Sequence, residues 1–235
     1  MKTRLRLPFF EIGIKNYIYG DKVLELAKAA EEASLKYDID VMLITPYTEI
    51  RRVAEKCGKL IVIAPYMDTL RPGRGLADVL PEAIKAAGAK GVVINHCERP
   101  MSLPAVKQTI ERASELELLS FACADSIAES RAIAQLHPDI INPEPAELVG
   151  TGKTSGMDFV RETIKAIKSI YSDIIIEQAA GITTSQQVYE LIYAGAEGVG
   201  MASGIFRAPS PIKMIDEVVA SVRRACNDLK QSGLK

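Results

Sequence analysis

Three residues with side chains suited to proton transfer each follow an apolar, strand-like segment. Lys15 ends the segment FFEIGIK, His96 ends VVINH, and Glu144 lies between Pro143 and Pro145 after IIN. A carboxylate, an imidazole and an ammonium group together can move a proton beside a carbonyl and stabilise the charge that develops. Taken singly, each residue has an ordinary structural interpretation. Together they indicate proton-transfer chemistry on a carbonyl substrate.

The elements that must position these residues alternate between short apolar runs and longer amphipathic stretches. The apolar runs are mostly continuous, which is typical of parallel strands buried on both faces. The predicted strands are Phe9–Lys15, Ile39–Thr45, Leu60–Ala64, Gly91–Asn95, Leu118–Ala122, Ile140–Pro143, Ile174–Glu177 and Gly198–Met201. Apolar residues at helical spacing predict the helices Lys22–Lys36, Ala77–Ala87, Leu103–Glu115, Asp158–Tyr171, Ser185–Ala194 and Ile212–Lys230.

Eight strand–helix units in 235 residues favour an α/β fold, a closed (β/α)8 TIM barrel, over an open doubly wound sheet. No linker or low-complexity segment interrupts the chain, so we expect a single domain over residues 1–235. Active sites of such barrels lie at the carboxyl ends of the strands. Lys15, His96 and Glu144 follow strands one, four and six, and are therefore expected at the same mouth.

Three glycine-bearing loops follow the last three strands. They are ELVGTGKTSG (147–156), AAGITT (179–184) and MASGIFRA (201–208). Loops after strands seven and eight of these barrels often bind phosphate, because glycine lets backbone N–H groups approach an anion closely. The first loop contains Gly152-Lys153-Thr154, but the spacing of a P-loop requires glycine where Glu147 stands. It is better interpreted as a loop that closes over a substrate.

Composition excludes several classes of function. The chain carries 29 basic and 30 acidic residues, for a formal net charge of −1, which argues against a nucleic-acid partner. No stretch approaches the roughly 20 apolar residues that span a bilayer, and the N-terminal segment is a poor signal peptide, so a cytoplasmic protein without a membrane partner is expected. The four cysteines and two histidines lack metal-ligand spacing. No cofactor and no metal are therefore predicted.

Several segments resemble the triosephosphate isomerase family, and most of all its short archaeal-type branch. NHCERPM (95–101) is similar to the family's N-H-S-E-R segment, and PEPAELVGTG (143–152) to its E-P-P-E-L-I-G-T-G segment. LRPGRGLADVLPEAIKAAGAKG (70–91) resembles the third loop and helix, and AAGITT and MASG resemble the seventh and eighth loops. The likeness extends from about residue 9 to about residue 220.

This resemblance implies an isomerase of glycolysis and gluconeogenesis that acts on a small phosphorylated sugar. Glu144 would be the base, His96 a neutral electrophile and Lys15 the cation that steadies the enediolate, as in the family at large. Glu98 would pair with Lys15 and hold it in place. Residues 150–153 would belong to a mobile lid, and the phosphate would bind largely to backbone groups of Val149, Gly150, Gly181, Ala202 and Ser203.

The sequence departs from the family at the end of the first strand. The family has N-x-K there, whereas this chain has Gly13-Ile14-Lys15, so Gly13 replaces an asparagine that touches substrate oxygens. A second polar position, in the third loop, is Tyr66. Loss of one oxyanion donor costs on the order of 10²–10³ in rate. Either this is an inefficient isomerase of triose phosphates, or its substrate is longer than a triose.

Four functions stay open on these grounds. The leading one is interconversion of glyceraldehyde 3-phosphate and dihydroxyacetone phosphate, and the next is the same reaction on a four-carbon sugar phosphate. A non-catalytic sugar-phosphate binder is disfavoured because Lys15, His96 and Glu144 are all present. A Schiff-base aldolase needs a lysine of depressed pKa, which Glu98 opposes. The family's third loop, here about 67–78, joins subunits, so a homodimer or homotetramer is expected.

Overall fold

The computed structural model describes residues 2–233, and its eight parallel strands close into a barrel in chain order. The last strand pairs with the first, with Glu11 opposite Gly200. This arrangement confirms the predicted α/β class and the (β/α)8 barrel. The strands are β1 Phe9–Gly13, β2 Val41–Ile44, β3 Ile61–Ala64, β4 Gly91–Ile94, β5 Leu119–Ala124, β6 Ile140–Pro143, β7 Ile175–Gln178 and β8 Gly198–Met201.

The helices alternate with the strands along the chain and surround the barrel. Within residues 2–233 they are α1 Asp21–Tyr37, α2 Ile50–Lys56, α3 Pro81–Ala86, α4 Leu103–Glu115, α5 Ile127–Ala134, α6 Met157–Lys168, α7 Ser185–Tyr193, α8 Ser203–Phe206 and α9 Pro211–Gln231. Helix α9 packs between α1 and α7 and so completes the ring. In the part of the chain that the structure describes, no helix is both long and apolar enough to cross a membrane.

Several helices and strands begin or end at other residues than predicted, because local features such as a proline outweigh the apolar periodicity of the sequence. The helix predicted from Ala77 begins only at Pro81, whose ring fixes the backbone of a first helical turn. The first strand ends at Gly13, so Lys15 lies in the loop beyond it. Strands β5 and β7 extend to Ala124 and Gln178, and α6 ends at Lys168 instead of residue 171. Helices α2 and α5, which are seven and eight residues long, were not predicted, because so few turns give a weak apolar period.

Side chains along each strand point alternately toward the helices and into the barrel, so the buried residues form two layers. In β1, Phe10 and Ile12 pack outward beneath the helices, whereas Phe9 packs with the apolar residues inside the barrel. Glu11 belongs to the inward-facing set, because side chains two residues apart on a strand point the same way. Apolar side chains and one thiol fill most of the rest of the barrel interior, namely Met42, Ile61, Ile63, Val93, Leu119, Phe121, Cys123 and Ile140.

Candidate active site

A cavity of about 540 Å³ opens at the carboxyl ends of the strands. Its size is within the usual range for small-molecule sites. Lys15, His96 and Glu144 all line it, from the loops after β1, β4 and β6. The other residues that the sequence analysis assigned to the site line the same cavity; they are Gly13, Glu98, Val149, Gly150, Gly181, Ala202 and Ser203.

Lys15 is held by its backbone conformation and by an ion pair. Its φ of 47° is unusual for a residue with a side chain. The Nζ atom lies 3.0 Å from Oε2 of Glu98. Burial works to lower the pKa of Lys15, but the pairing with Glu98 and the charge of Glu144 outweigh it and raise that pKa above its ordinary value. The lysine is therefore an ammonium ion at neutral pH, as a charge-stabilising residue requires.

His96 is a neutral imidazole whose tautomer follows from one hydrogen bond. The backbone N–H of Glu98 donates to Nδ1 at 3.1 Å, so the ring proton lies on Nε2. Burial, reinforced by the charge of Lys15, lowers the pKa of His96 to about 4. The Nε2 atom is 3.6 Å from Oε2 of Glu144. At neutral pH the ring can therefore donate a hydrogen bond into the cavity without carrying a charge.

The loop that bears His96 is fixed by Asn95. The Asn95 side chain donates to the carbonyl of Cys123 and to Glu129, and it accepts from the backbone N–H of Met101. These bonds join the end of β4 to β5 and to the following helix. The φ of Asn95 is 59°, a left-handed conformation that asparagine adopts more readily than most residues.

Glu144 is placed by a stiff segment. Pro143 and Pro145 restrict the backbone on both sides, and the Glu144 N–H donates to the carbonyl of Ala124 at 2.7 Å. The side chain is only 10% exposed, and the Asn142 amide donates to its Oε2 at 3.4 Å. Burial raises the pKa of Glu144, while Lys15 and a backbone hydrogen bond with Ala180 oppose that rise. A raised pKa makes the carboxylate a stronger base.

The loops after β6, β7 and β8 meet on one side of the cavity. Gly181 has a φ of 66°, and a Cβ at this position would be 1.9 Å from the carbonyl oxygen of Lys153. Only glycine therefore lets the loop after β6 lie against the loop after β7. Arg207 donates to the carbonyl of Gly150 at 3.0 Å. Backbone groups of the three loops thus border the same space.

The space beside Gly13 is bounded by a residue that the sequence analysis did not assign to the site. A Cβ at position 13 would lie 3.2 Å from Oε1 of Glu11 and 3.5 Å from Cβ of Ala202. The space beside Gly13 is therefore smaller than expected from the replacement of the family's asparagine by glycine. Tyr66 stands at the rim, where its hydroxyl donates to Asp68 at 2.8 Å and the Arg99 guanidinium lies 3.9 Å from the ring centroid.

Glu11, Asn142 and Arg99 line the cavity but were missed from the sequence. For Glu11 a signal existed, since an acidic residue interrupts an otherwise apolar buried strand two positions before Gly13. Asn142 stands in the same inward register as Glu144. Arg99 had no comparable signal. Among residues 2–233, no group of three or more histidine, cysteine or acidic side chains is arranged to hold a metal ion.

Comparisons with known proteins agree with this architecture. The triosephosphate isomerase family model matches residues 9–218. The triosephosphate isomerase of Sulfurisphaera tokodaii is 32% identical over 230 residues, which cover 96% of this chain and 100% of the relative. That of Saccharolobus solfataricus is 33% identical, with 94% and 99% covered. That of Methanocaldococcus jannaschii is 34% identical, with 87% and 94% covered.

Solved structures give the same fold. The crystal structure of triosephosphate isomerase from Bartonella henselae matches with a TM-score of 0.72 and covers 92% of this chain and 99% of its own. At 18% identity, this likeness bears on the fold alone. The family model and the relatives of more than 30% identity extend over most of the chain, and they show that it belongs to the triosephosphate isomerase family.

Proposed function

We propose that this protein interconverts glyceraldehyde 3-phosphate and dihydroxyacetone phosphate through an enediolate. The observation that supports this most directly is the pairing of a neutral His96, protonated on Nε2, with the buried Glu144 carboxylate 3.6 Å away. A base and an uncharged hydrogen-bond donor on the same cavity match a reaction that shifts a proton between two carbons while charge develops on oxygen.

In this mechanism Glu144 takes the proton from C1 of dihydroxyacetone phosphate. The electron pair of the broken C–H bond forms the C1=C2 double bond, and the carbonyl oxygen on C2 becomes negatively charged. His96 donates its Nε2 proton toward this oxygen and moves a proton between O1 and O2. Glu144 then returns its proton to C2, and the carbonyl forms at C1. The reactant and the product are isomers, so the reaction involves no net gain or loss of electrons.

Lys15 and the loops would supply the remaining stabilisation. The Lys15 ammonium, oriented by Glu98 at 3.0 Å, is suited to neutralise charge on the enediolate and the phosphate ester. The phosphate would bind backbone N–H groups around Gly150, Gly181 and Ser203, which border one side of the cavity. Closure of the loop at 150–153 would exclude water from the intermediate.

The chemistry of Lys15 disfavours an aldolase that forms a Schiff base. Such an enzyme needs a neutral amine near pH 7, whereas the pairing with Glu98 raises the pKa of Lys15. Borohydride treatment in the presence of a sugar phosphate tests this alternative. We expect no covalent adduct on Lys15.

The test of the proposed function is a coupled assay with each triose phosphate, combined with proton NMR in D₂O. A reaction through an enediolate incorporates solvent deuterium at the carbon that receives the returned proton. A hydride shift would leave the product unlabelled. Absence of turnover in both directions, with phosphate ligands still bound, would favour the non-catalytic binder.

Association into a homodimer or homotetramer is a further part of the proposal. In the loop at 67–78, Leu76 is 95% exposed, which suits a segment that inserts into another subunit. Light scattering of the purified protein measures the subunit number. We expect Leu76→Asp to lower it.

A further inference from the structure

Two glutamates lie inside the barrel beneath the candidate active site. Glu11 stands in the middle of β1 and Glu177 in β7, and both approach Gly200 of β8 from opposite sides. A Cβ at Gly200 would be 2.3 Å from Oε2 of Glu11 and 2.6 Å from Oε1 of Glu177. The two carboxyl groups therefore occupy the space that a side chain at position 200 would fill, and they lie next to each other.

The pair lacks the partners that buried carboxyl groups normally have. Glu11 is 6% exposed and Glu177 is fully buried. Oε1 of Glu11 and both oxygens of Glu177 have no hydrogen-bond partner among the described residues, and neither does Oδ1 of Asn142. Buried polar atoms are nearly always paired in native proteins. The unpaired oxygens of Glu11 and Glu177, which lie together beside Gly200, call for a ligand that pairs with them.

The cavity extends down to Glu11, behind which Glu177 is buried. Besides the loop residues at the mouth, it is lined by Glu11 and by interior positions of the strands, among them Val93, Phe121 and Gly200. These positions precede the strand ends, so the cavity continues into the barrel below Lys15, His96 and Glu144. Gly13, directly above Glu11 on the same face of β1, adds no side chain to close this space.

Glu11 and Glu177 are called the floor of the site below. Their charge and protonation determine which ligand group fits there. Burial raises the pKa of Glu11 and of Glu177, and the charge of Glu144 raises both further, although Lys15 opposes the rise for Glu11. A pair that retains a proton offers both a donor and acceptors, which matches a hydroxyl group. A second phosphate or a carboxylate on the ligand would instead face the charge of Glu144 and the unpaired oxygens of the floor.

We propose that Glu11, with Glu177 buried beside it, binds the hydroxyl group of a sugar monophosphate at least one carbon longer than a triose, at the end remote from its phosphate. This inference rests on the proposed function, because the phosphate must bind at the rim and the carbonyl beside Glu144 for the chain to reach the floor. The substrate class is thus a neutral, hydroxyl-ended aldose or ketose monophosphate of four or more carbons, accepted in addition to triose phosphates.

The first experiment changes the ligand and leaves the protein intact. Calorimetry compares a four-carbon alditol monophosphate with the same compound lacking the terminal hydroxyl. We expect the hydroxyl-bearing compound to bind wild-type protein at least about tenfold more tightly, because its absence leaves the floor oxygens unpaired. Equal binding of the two compounds overturns the proposal. Glu11→Leu is expected to reduce the preference to about twofold or less.

The second experiment uses turnover. Glu11→Leu should lower the ratio of kcat/KM for a four-carbon aldose phosphate to that for glyceraldehyde 3-phosphate by about 10- to 100-fold. Glu111→Leu, on the exposed face of α4, is the matched control and should leave the ratio unchanged. An equal loss on both substrates would place Glu11 at the reacting oxygens and overturn the inference.

The two proposals fail in different ways. Triose turnover without any preference for the terminal hydroxyl overturns the assignment of Glu11 and Glu177 and leaves the proposed function intact. Hydroxyl-dependent binding without isomerisation of either substrate overturns the proposed function instead. In that case the floor remains a polyol-binding site.

Discussion

Burial raises the pKa of the glutamates at both the mouth and the floor of the barrel, but the neighbours of these glutamates differ. At the mouth, Glu144 receives a hydrogen bond from Asn142 and lies in the field of Lys15. At the floor, Glu11 and Glu177 are buried together, and three of their oxygens have no partner among the described residues. The neighbours at the mouth therefore oppose the rise in the pKa of Glu144, whereas at the floor nearby carboxylates add to the rise for Glu11 and Glu177. The pKa of a glutamate inside the barrel therefore depends on the groups that surround it.

The largest effect should come from removing the ionisable group at the mouth. Glu144→Gln keeps the shape of the side chain but cannot accept a proton at neutral pH. We expect kcat for triose phosphates to fall by about 10²–10⁴, with phosphate ligands still bound. Glu147→Gln, on an exposed position of the same segment, should remain near wild type. A loss of less than about tenfold in Glu144→Gln would show that the mouth does not need this base.

Replacing both glutamates of the floor should change the pH dependence of the protein's stability. Because the pKa of both Glu11 and Glu177 is raised in the folded state, the folded protein holds protons that the unfolded chain releases. Stability from these groups is complete below the unfolded pKa and is lost as pH rises toward the folded pKa. The double variant Glu11→Gln with Glu177→Gln should match wild type near pH 4 and exceed it by about 1–3 kcal/mol at pH 8.

Urea denaturation at both pH values measures this difference. A stability gap that is the same at pH 4 and pH 8 would mean that the two carboxyl groups do not retain protons in the folded state. The floor would then hold ionised carboxylates in the folded protein, as the mouth does. Glu111→Gln, exposed on α4, serves as the control and should show no pH-dependent gap.

Gly13 lies between the mouth and the floor. A substitution there tests which part of the substrate each region binds. In Gly13→Asn the new Cβ would stand 3.2 Å from Oε1 of Glu11, so the amide would cover the floor and add a donor at the mouth. We expect kcat/KM for triose phosphate to rise and that for a four-carbon sugar phosphate to fall, changing their ratio about tenfold. An unchanged ratio would show that position 13 does not contact substrate.

The smallest expected effect concerns pH dependence at the mouth. The pKa of His96 is about 4, while that of Glu144 is raised above the ordinary glutamate value. As pH falls, kcat/KM should therefore decline because Glu144 becomes protonated. The midpoint of this acidic limb of the pH profile should lie above 4.5, the ordinary glutamate pKa. His96→Gln should lower the plateau and leave the midpoint of this limb in place. A midpoint that moves in His96→Gln would assign the limb to the imidazole.

Much of the mouth could be predicted because its residues are tied to strand ends. Lys15, His96 and Glu144 follow short apolar runs, and parallel strands of a barrel bring their carboxyl ends together whatever the details of packing. The glycine-bearing loops were visible for the same reason. Their chemical functions remain predictions until the variants are measured. The short helices α2 and α5 were missed, since seven or eight residues give too weak a period.

By itself, the sequence determined the barrel, the order of its strands and the mouth at which Lys15, His96 and Glu144 stand, because periodicity and strand ends are local properties. Only the tertiary structure decided that Glu11 and Glu177, far apart in the chain, meet across Gly200. It also decided the tautomer of His96, through the N–H of Glu98, and the direction of each pKa shift. These properties depend on burial and on neighbours that closure of the barrel brings together.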